Sequence, residues 1–360
     1  MSVQSSGPDP EELRFGPLQE SDLQGISDLI TRMSDDKGLR LRDKSASYYR
    51  WMYLENPAGP AVVHSARLGE RVVASFALAP KRFQVDGRQL VIGKTMDMFT
   101  DPEFQGRGLI KRCTTAVFEG AKAAGIAGWY VTPSVNSYPI FKDKWGYRED
   151  LRILFRARVL KFGPLLGAVL KPAGLLGRVV DGVRALLPHR DPGLPDGYQV
   201  DHLERFDHEA DRLWGEVGHG YKVALVRDAA YLNWRYVENP DDYTMLGLRR
   251  DGLLVGIVVL AETVRRGVRC GEIVDFVAPA EDDEVLKLLV QVAVKHSRRA
   301  GHALVQAWTV KDTTLDARFR VAGLGMKRTE IKFLTSPDLP DPLLRDPNAW
   351  LLTQGDGNDV

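Results

Sequence analysis

Cysteine is scarce, and the two thiols present, Cys113 and Cys270, stand far apart without metal-ligand spacing. That excludes a disulfide framework or a cysteine-held metal cluster, and both read as small, reduced core residues of a cytoplasmic protein. The seven histidines show no metal spacing either, so no metal is assigned. No apolar run reaches the roughly twenty residues a transmembrane helix needs. Neither sign of charge dominates: the formal net charge is +1, which gives no global field to draw in nucleic acid. The polar, acidic stretch MSVQSSGPDPEE lacks the apolar segment of a signal peptide. Its first ten or so residues are expected to be disordered. The patterns GxGxxG and GxxxxGK[ST] are also missing, which sets aside Rossmann and P-loop readings.

What is present suits two α/β domains: 360 residues with 44% hydrophobic and 27% charged content. The most informative stretch runs from Met96 to Ala124. Apolar and polar residues alternate from Leu90 to Phe99 as in a strand, and Thr100-Asp101-Pro102 turns the chain. The glycine-rich, basic run Gln105-Gly106-Arg107-Gly108 follows. A helix is then predicted, with Leu109, Cys113, Ala116, Val117 and Ala121 on one face. Strand, glycine loop and helix N-terminus form a geometry that binds a phosphate. Glycine lets the backbone approach, and first-turn N–H groups and the helix dipole meet the anion. Arg107, Lys111 and Arg112 add formal charge. An ordinary turn that needs glycine for packing fits the loop equally well. Further on, Gly128 to Thr132 reads as a strand, and Asn136 to Lys144 as a short helix closed by Trp145-Gly146-Tyr147, with Gly146 as C-cap.

Together these motifs resemble the GNAT superfamily of acyl-CoA-dependent N-acetyltransferases, over roughly residues 12 to 158. The family loop, Q/R-x-x-G-x-G/A, is matched from Gln105 through Gly108 and departs at Ile110, where Gly or Ala is usual. The later family element matches at Asn136 and Gly146-Tyr147. The resemblance implies acetyl-CoA, or another short acyl-CoA, as cosubstrate. It would be held by Met98, Phe99 and Thr100 on the strand end, by Gln105, Gly106, Arg107, Gly108, Leu109, Ile110 and Lys111 on the loop and first turn, and by Asn136 and Phe141 beyond. The implied reaction is direct attack by a primary amine on the acyl group.

Taken in order, the chain opens with a strand over Leu13–Leu18 and a helix capped by Ser21 with Gln24 in a capping-box pattern. A second helix spans Ser45–Leu54, and strands follow over Val62–Leu68 and Val72–Leu78. Leu151–Leu160 is a strand. Residues 162–187 read as two short amphipathic helices split by Pro172, either a packed hairpin or a membrane-surface contact. A Pro-rich linker ends this insert. Near Tyr198 a second unit begins that repeats the first. Tyr48-x-x-Trp51-x-Tyr53-x-Glu55-Asn56-Pro57 returns as Tyr231-x-x-Trp234-x-Tyr236-x-Glu238-Asn239-Pro240, six identities at one spacing. Asp97 is answered by Asp275, and Phe141 and Gly146 by Phe319 and Gly325. The loop is not repeated: Glu281-Asp282-Asp283-Glu284 stands there, and four acids would repel a pyrophosphate.

The expected architecture is therefore α/β (α+β), with two tandem GNAT-like domains as an internal pseudo-dimer. Each would hold a mixed, mostly antiparallel sheet flanked by helices. Residues 1–11 form a tail, 12–158 the acyl-CoA-binding domain, 159–197 a helical insert and linker, 198–337 a degenerate domain shaping the acceptor site, and 338–360 a tail docked by Trp350. Asp97, an acid in an apolar strand, is the candidate general base, with a backbone-bonded structural role as its rival. The family's proton-donating Tyr falls at Lys142, so Tyr138, one turn earlier, is the candidate donor. The acceptor is read as a small amine, with an amino sugar as one candidate; a small amine of a biosynthetic pathway and a protein amine fit as well. Two other readings compete: a peptidoglycan-bridge aminoacyltransferase using aminoacyl-tRNA, and a non-catalytic binding module on two GNAT folds.

Overall fold

The computed structural model describes residues 13–37, 45–169, 177, 179–182, 193–339 and 342–357. The expectations for the N-terminal tail and for Pro172 fall outside them. Contacts divide the chain into two compact units, one of residues 1–82, 90–131 and 336–340, the other of 83–89, 132–335 and 341–360.

The first unit contains β1 (Leu13–Pro17), α1 (Asp22–Lys37), α2 (Ala46–Leu54), β2 (Val62–Leu68), β3 (Arg71–Val85, to Arg82), β4 (Arg88–Thr100, from Leu90), α3 (Leu109–Ala123) and β5 (Trp129–Val131). Its strands lie in chain order, with β1, β2 and β3 antiparallel and β4 and β5 parallel. The parallel pair needs a crossover, and α3 supplies it by burying Leu109, Cys113, Val117 and Ala121. The entry to α1 differs from expectation. Gln24 bonds Asp28 along the helix, at 2.7 Å, instead of closing a capping box. Asp22 does the anchoring, accepting from the N–H of Gln19 and from the Arg67 guanidinium.

The second unit contains β6 (Arg148–Val159), α4 (Phe162–Val169), β7 (Tyr198–His202), α5 (His208–Val217), β8 (Val223–Leu225), α6 (Ala229–Leu232), β9 (Thr244–Arg250), β10 (Leu253–Arg265), β11 (Val268–Val277), α7 (Asp283–Arg299), β12 (Leu304–Val310), α8 (Thr314–Val321), β13 (Met326–Thr335) and β14 (Trp350–Leu351). The main sheet runs β13-β6-β12-β11-β10-β9-β7. Here too a parallel pair, β11 and β12, is joined across a helix, α7. Of the 162–187 insert, α4 and residues 179–182 are helical, and Asp181 caps α4 by accepting the N–H groups of Phe162 and Gly163, both at 2.7 Å. The chain's end docks as expected: Trp350 is buried against Phe83 and Phe333.

Strand β6 forms where the pattern placed it, but its neighbours are β12 and β13. Contact density therefore divides the chain elsewhere than at 159–197. Arg156 on β6 clamps Asp316 on α8 through two 2.6 Å bonds, and Thr309 on β12 donates to the same carboxylate at 2.7 Å. Burial pushes the Asp316 carboxyl up, but these donors outweigh it and its pKa lies below the ordinary 3.8. The stability it contributes is present above that ordinary value and is lost as pH falls through the folded value. Asp316→Asn should lower the melting temperature clearly at pH 7 and much less near pH 2. An equal loss at both would show that the ionised clamp is not what holds β6.

Candidate active site

In the first unit β4 outruns its partner. Pairing with β5 is confined to Gly93 opposite Trp129 and Lys94 opposite Tyr130, while β4 continues to Thr100. Where the ladder stops, the Thr95 hydroxyl donates to the Tyr130 carbonyl at 3.2 Å. Up to that point β4 is buried from Gly93 to Thr95, whereas Met96 through Thr100 are half-buried. The strand end therefore lacks the parallel neighbour that β5 provides earlier.

Beyond that end the chain makes a tight turn. Asp101 is buried, and its carboxylate caps the turn by accepting from the Glu103 N–H at 3.2 Å. The same carboxylate takes Arg32 at 3.1 Å and Arg71 at 2.7 Å. Burial favours its neutral form, but these bonds prevail and hold it below the usual carboxylate range. Gln105, Gly106, Arg107 and Gly108 follow, all exposed. Arg107 lies over the Phe104 ring at 5.0 Å. Gly106 and Gly108 have φ of 78° and 74°. An added Cβ at either would meet nothing within 4 Å. Glycine is thus favoured here by the left-handed backbone and not by tight packing. Gly108 is the N-cap of α3 and offers no side-chain cap. The first-turn amides of Leu109, Ile110 and Lys111 consequently have no carbonyl four residues back. Two left-handed glycines, first-turn amides without a side-chain cap and the basic residues Arg107, Lys111 and Arg112 thus follow one another at the start of α3, the kind of backbone arrangement that can receive an anion.

Asp97 sits on β4 three residues beyond Lys94, the last to pair with β5, half-buried, with φ of 51°. Tyr53, from the repeated motif, donates to it at 2.8 Å. In the second unit Tyr236, from the second copy, donates to Asp275 at 2.7 Å. The motif's other parts also act alike in each unit. Ser45 and Asp228 each cap the helix three residues before the motif's first tyrosine accepts its place, bonding the N–H of Tyr48 and Tyr231. Asn56 and Asn239 each accept the N–H two residues on, at 3.0 Å in both cases. Nearby, Tyr49 is fully buried and its hydroxyl finds no hydrogen-bond partner among the described residues. Burial, then the Asp97 charge, pushes its pKa up. Sequence reasoning missed this tyrosine because it lies outside the repeated positions. Cys113, under the loop, is pushed up to about 11 by burial, so it remains a thiol.

Asn136, Tyr138 and Phe141 belong to the second unit. Asn136 is exposed, and Phe141 is buried in a π-helical turn, Ile140–Lys144, shorter than the helix expected over Asn136–Lys144. Gly146 caps it at φ of 68° as expected, whereas the answering positive φ near Phe319 falls on Gly323 instead of Gly325. The Tyr138 hydroxyl donates to Glu149 at 2.6 Å, and that bond raises its pKa. A phenol tied to a carboxylate is a weaker acid than a free one.

The corresponding places in the second unit are filled. At the start of α7 the Asp282 side chain takes the Val285 N–H at 3.0 Å, and Asp283 is held by Arg318. Residues Glu272 to Val277 of β11 are all buried. The tail residues Thr353, Gln354, Gly355 and Asp356 are buried too, and a Cβ on Gly355 would stand 2.1 Å from the Tyr236 hydroxyl. Arg227, completely buried, joins Asp275 at 2.8 Å and Asp356 at 2.8 Å. Among the described residues no cluster of His, Cys, Asp and Glu could hold a metal.

No protein-family model matches the chain, and no curated protein matches it. Solved structures do. The chain is similar to a tandem GNAT protein from the clavulanic acid biosynthesis pathway, at TM-score 0.57 and 18% identity, over 92% of this chain and 100% of that one. The fold is the tandem GNAT fold. Similarity extends to Saccharomyces cerevisiae N-myristoyltransferase with bound myristoyl-CoA, at TM-score 0.62 and 11% identity, over 97% of this chain and 92% of that one. It also covers a GCN5-related N-acetyltransferase from Anabaena variabilis, at TM-score 0.58 and 12% identity, over 90% and 72% of the two chains. The loop Gln105–Gly108 and the end of β4 beyond its pairing with β5 lie together in the first unit.

Proposed function

We propose that the protein is an N-acyltransferase that takes a short acyl group from acyl-CoA and passes it to a primary amine in the first unit. The observation that carries this reading is the glycine-shaped start of α3, without a side-chain cap, following the end of β4 that extends past its pairing with β5. The loop amides and Arg107, Lys111 and Arg112 would hold the pyrophosphate. The pantetheine arm would lie along Met98, Phe99 and Thr100 as an added strand, and backbone N–H groups there would face the thioester oxygen. Asp97, on the same strand end, is proposed as the base that receives the amine proton, directly or through water. Tyr138 is engaged by Glu149 and is given no proton to deliver, since a thiolate is a good leaving group. The acidic, side-chain-capped start of α7 and the tail-covered β11 support one cofactor site, in the first unit. The domain limits 12–158 and 198–337 are proposed as the two ancestral copies, with the second supporting the first.

The test is acetyl-CoA binding by titration calorimetry. Gly108→Val puts a β-branched residue into a left-handed backbone, at a cost of about 1–2 kcal/mol, and fills the anion's place. Because the position is exposed no packing is lost, and the strain alone should lower the melting temperature by only a few degrees. The dissociation constant should rise at least about tenfold. Unchanged affinity in the variant would remove the loop from the cofactor site and the proposed reaction with it.

A further inference from the structure

The second unit holds an open cavity of about 520 Å³, within the roughly 300–1,000 Å³ common for small-molecule sites. It lies against the C-terminal half of α7, β7, β9 and the end of β6. Arg158, His202, Lys295, His296, Arg298 and Arg299 line it, and among the described lining residues there is no carboxylate. Val200, Leu246 and Val292 give it an apolar wall.

Cations at a helix C-terminus complement the helix dipole, and that accounts for His296, Arg298 and Arg299. It does not account for Arg158, which comes from β6, or for His202, which ends β7. Three separate elements thus bring basic residues to the lining of one space. Burial first, then His302, His202 and Arg299, push the His296 pKa down. Arginine is the side chain best shaped to grip a carboxylate or phosphate in two places.

We propose that this cavity binds a small organic anion with an apolar body, its carboxylate or phosphate held by the cations and its body against Val200, Leu246 and Val292. The site is independent of the acyl-CoA loop. Titration calorimetry on the full chain with octanoate, octyl phosphate and octylamine tests it. At least one of the two anions should bind, with a dissociation constant of about 10–100 μM for a ligand of this size, and octylamine should not. Which anion binds identifies the head group. The double variant Lys295→Glu/Arg299→Glu changes two exposed residues, so its melting temperature should stay close to that of the unaltered protein. Its affinity for the anion should fall at least tenfold, with the neutral Lys295→Gln/Arg299→Gln pair between. Gly108→Val should bind the anion normally, even if it also binds acetyl-CoA normally. The proposal is overturned if neither anion binds, if octylamine binds as well, if charge reversal leaves affinity unchanged, or if binding is lost in Gly108→Val.

Discussion

Arg227→Met should destabilise the second unit by about 3–5 kcal/mol, the usual cost of stranding a buried charge. Arg227 is fully buried, and its guanidinium bonds Asp275, Asp356, the Thr353 hydroxyl and the Leu225 carbonyl. Burial alone would push its pKa down, but the two carboxylates prevail and raise it, so the side chain stays charged. Methionine of similar length leaves both carboxylates in the interior with no cation between them. Asp275 keeps only hydroxyl donors, from Tyr236 and Thr353, and the Phe276 N–H. Asp356 keeps the Thr353 N–H. For a unit of this size the loss corresponds to a fall in melting temperature on the order of 10 °C. The triple variant with Asp275→Asn and Asp356→Asn removes the stranded charges and should recover part of the loss. A melting temperature within about 3 °C of the unaltered protein for Arg227→Met alone would show that the network contributes little.

Asp97→Asn should slow amine acylation by about a hundredfold or more, the scale of a lost general base, with little change in the acetyl-CoA dissociation constant. Asparagine keeps an oxygen for the Tyr53 hydroxyl but cannot take a proton from the attacking amine, which is mostly protonated near neutrality. Asp275→Asn is the control. Its carboxylate is buried under the tail and bound by Arg227, so its loss should lower stability and leave turnover of the folded protein intact. Two measurements on each variant decide the matter: melting temperature, and thiol release from acetyl-CoA with any primary amine that the unaltered protein acylates. If Asp97→Asn melts early and its folded fraction turns over normally, Asp97 is a structural acid like Asp275. Equal losses of turnover at both positions would also sink the catalytic assignment, because the second unit is proposed to hold no cofactor.

Local patterns carried much of this protein. The helix α3 was legible because its buried positions recur at helical spacing, and Gly106 and Gly108 because left-handed backbone favours glycine. The repeat was legible because six identities at one spacing are a linear fact, and each copy makes the same Tyr–Asp bond and the same Asn turn. The acid run at Glu281–Glu284 already told against a second phosphate site. What tertiary structure alone decided was pairing and company. Strand β6 reads the same in sequence whichever strands flank it, since ladder hydrogen bonds are made by backbone atoms common to every residue. No spacing rule joins Arg227 to Asp356, ties Tyr138 to Glu149, or brings Arg158, His202 and Lys295 to one cavity. Such contacts depend on where distant segments pack, and a one-dimensional pattern records only which face each segment wishes to bury.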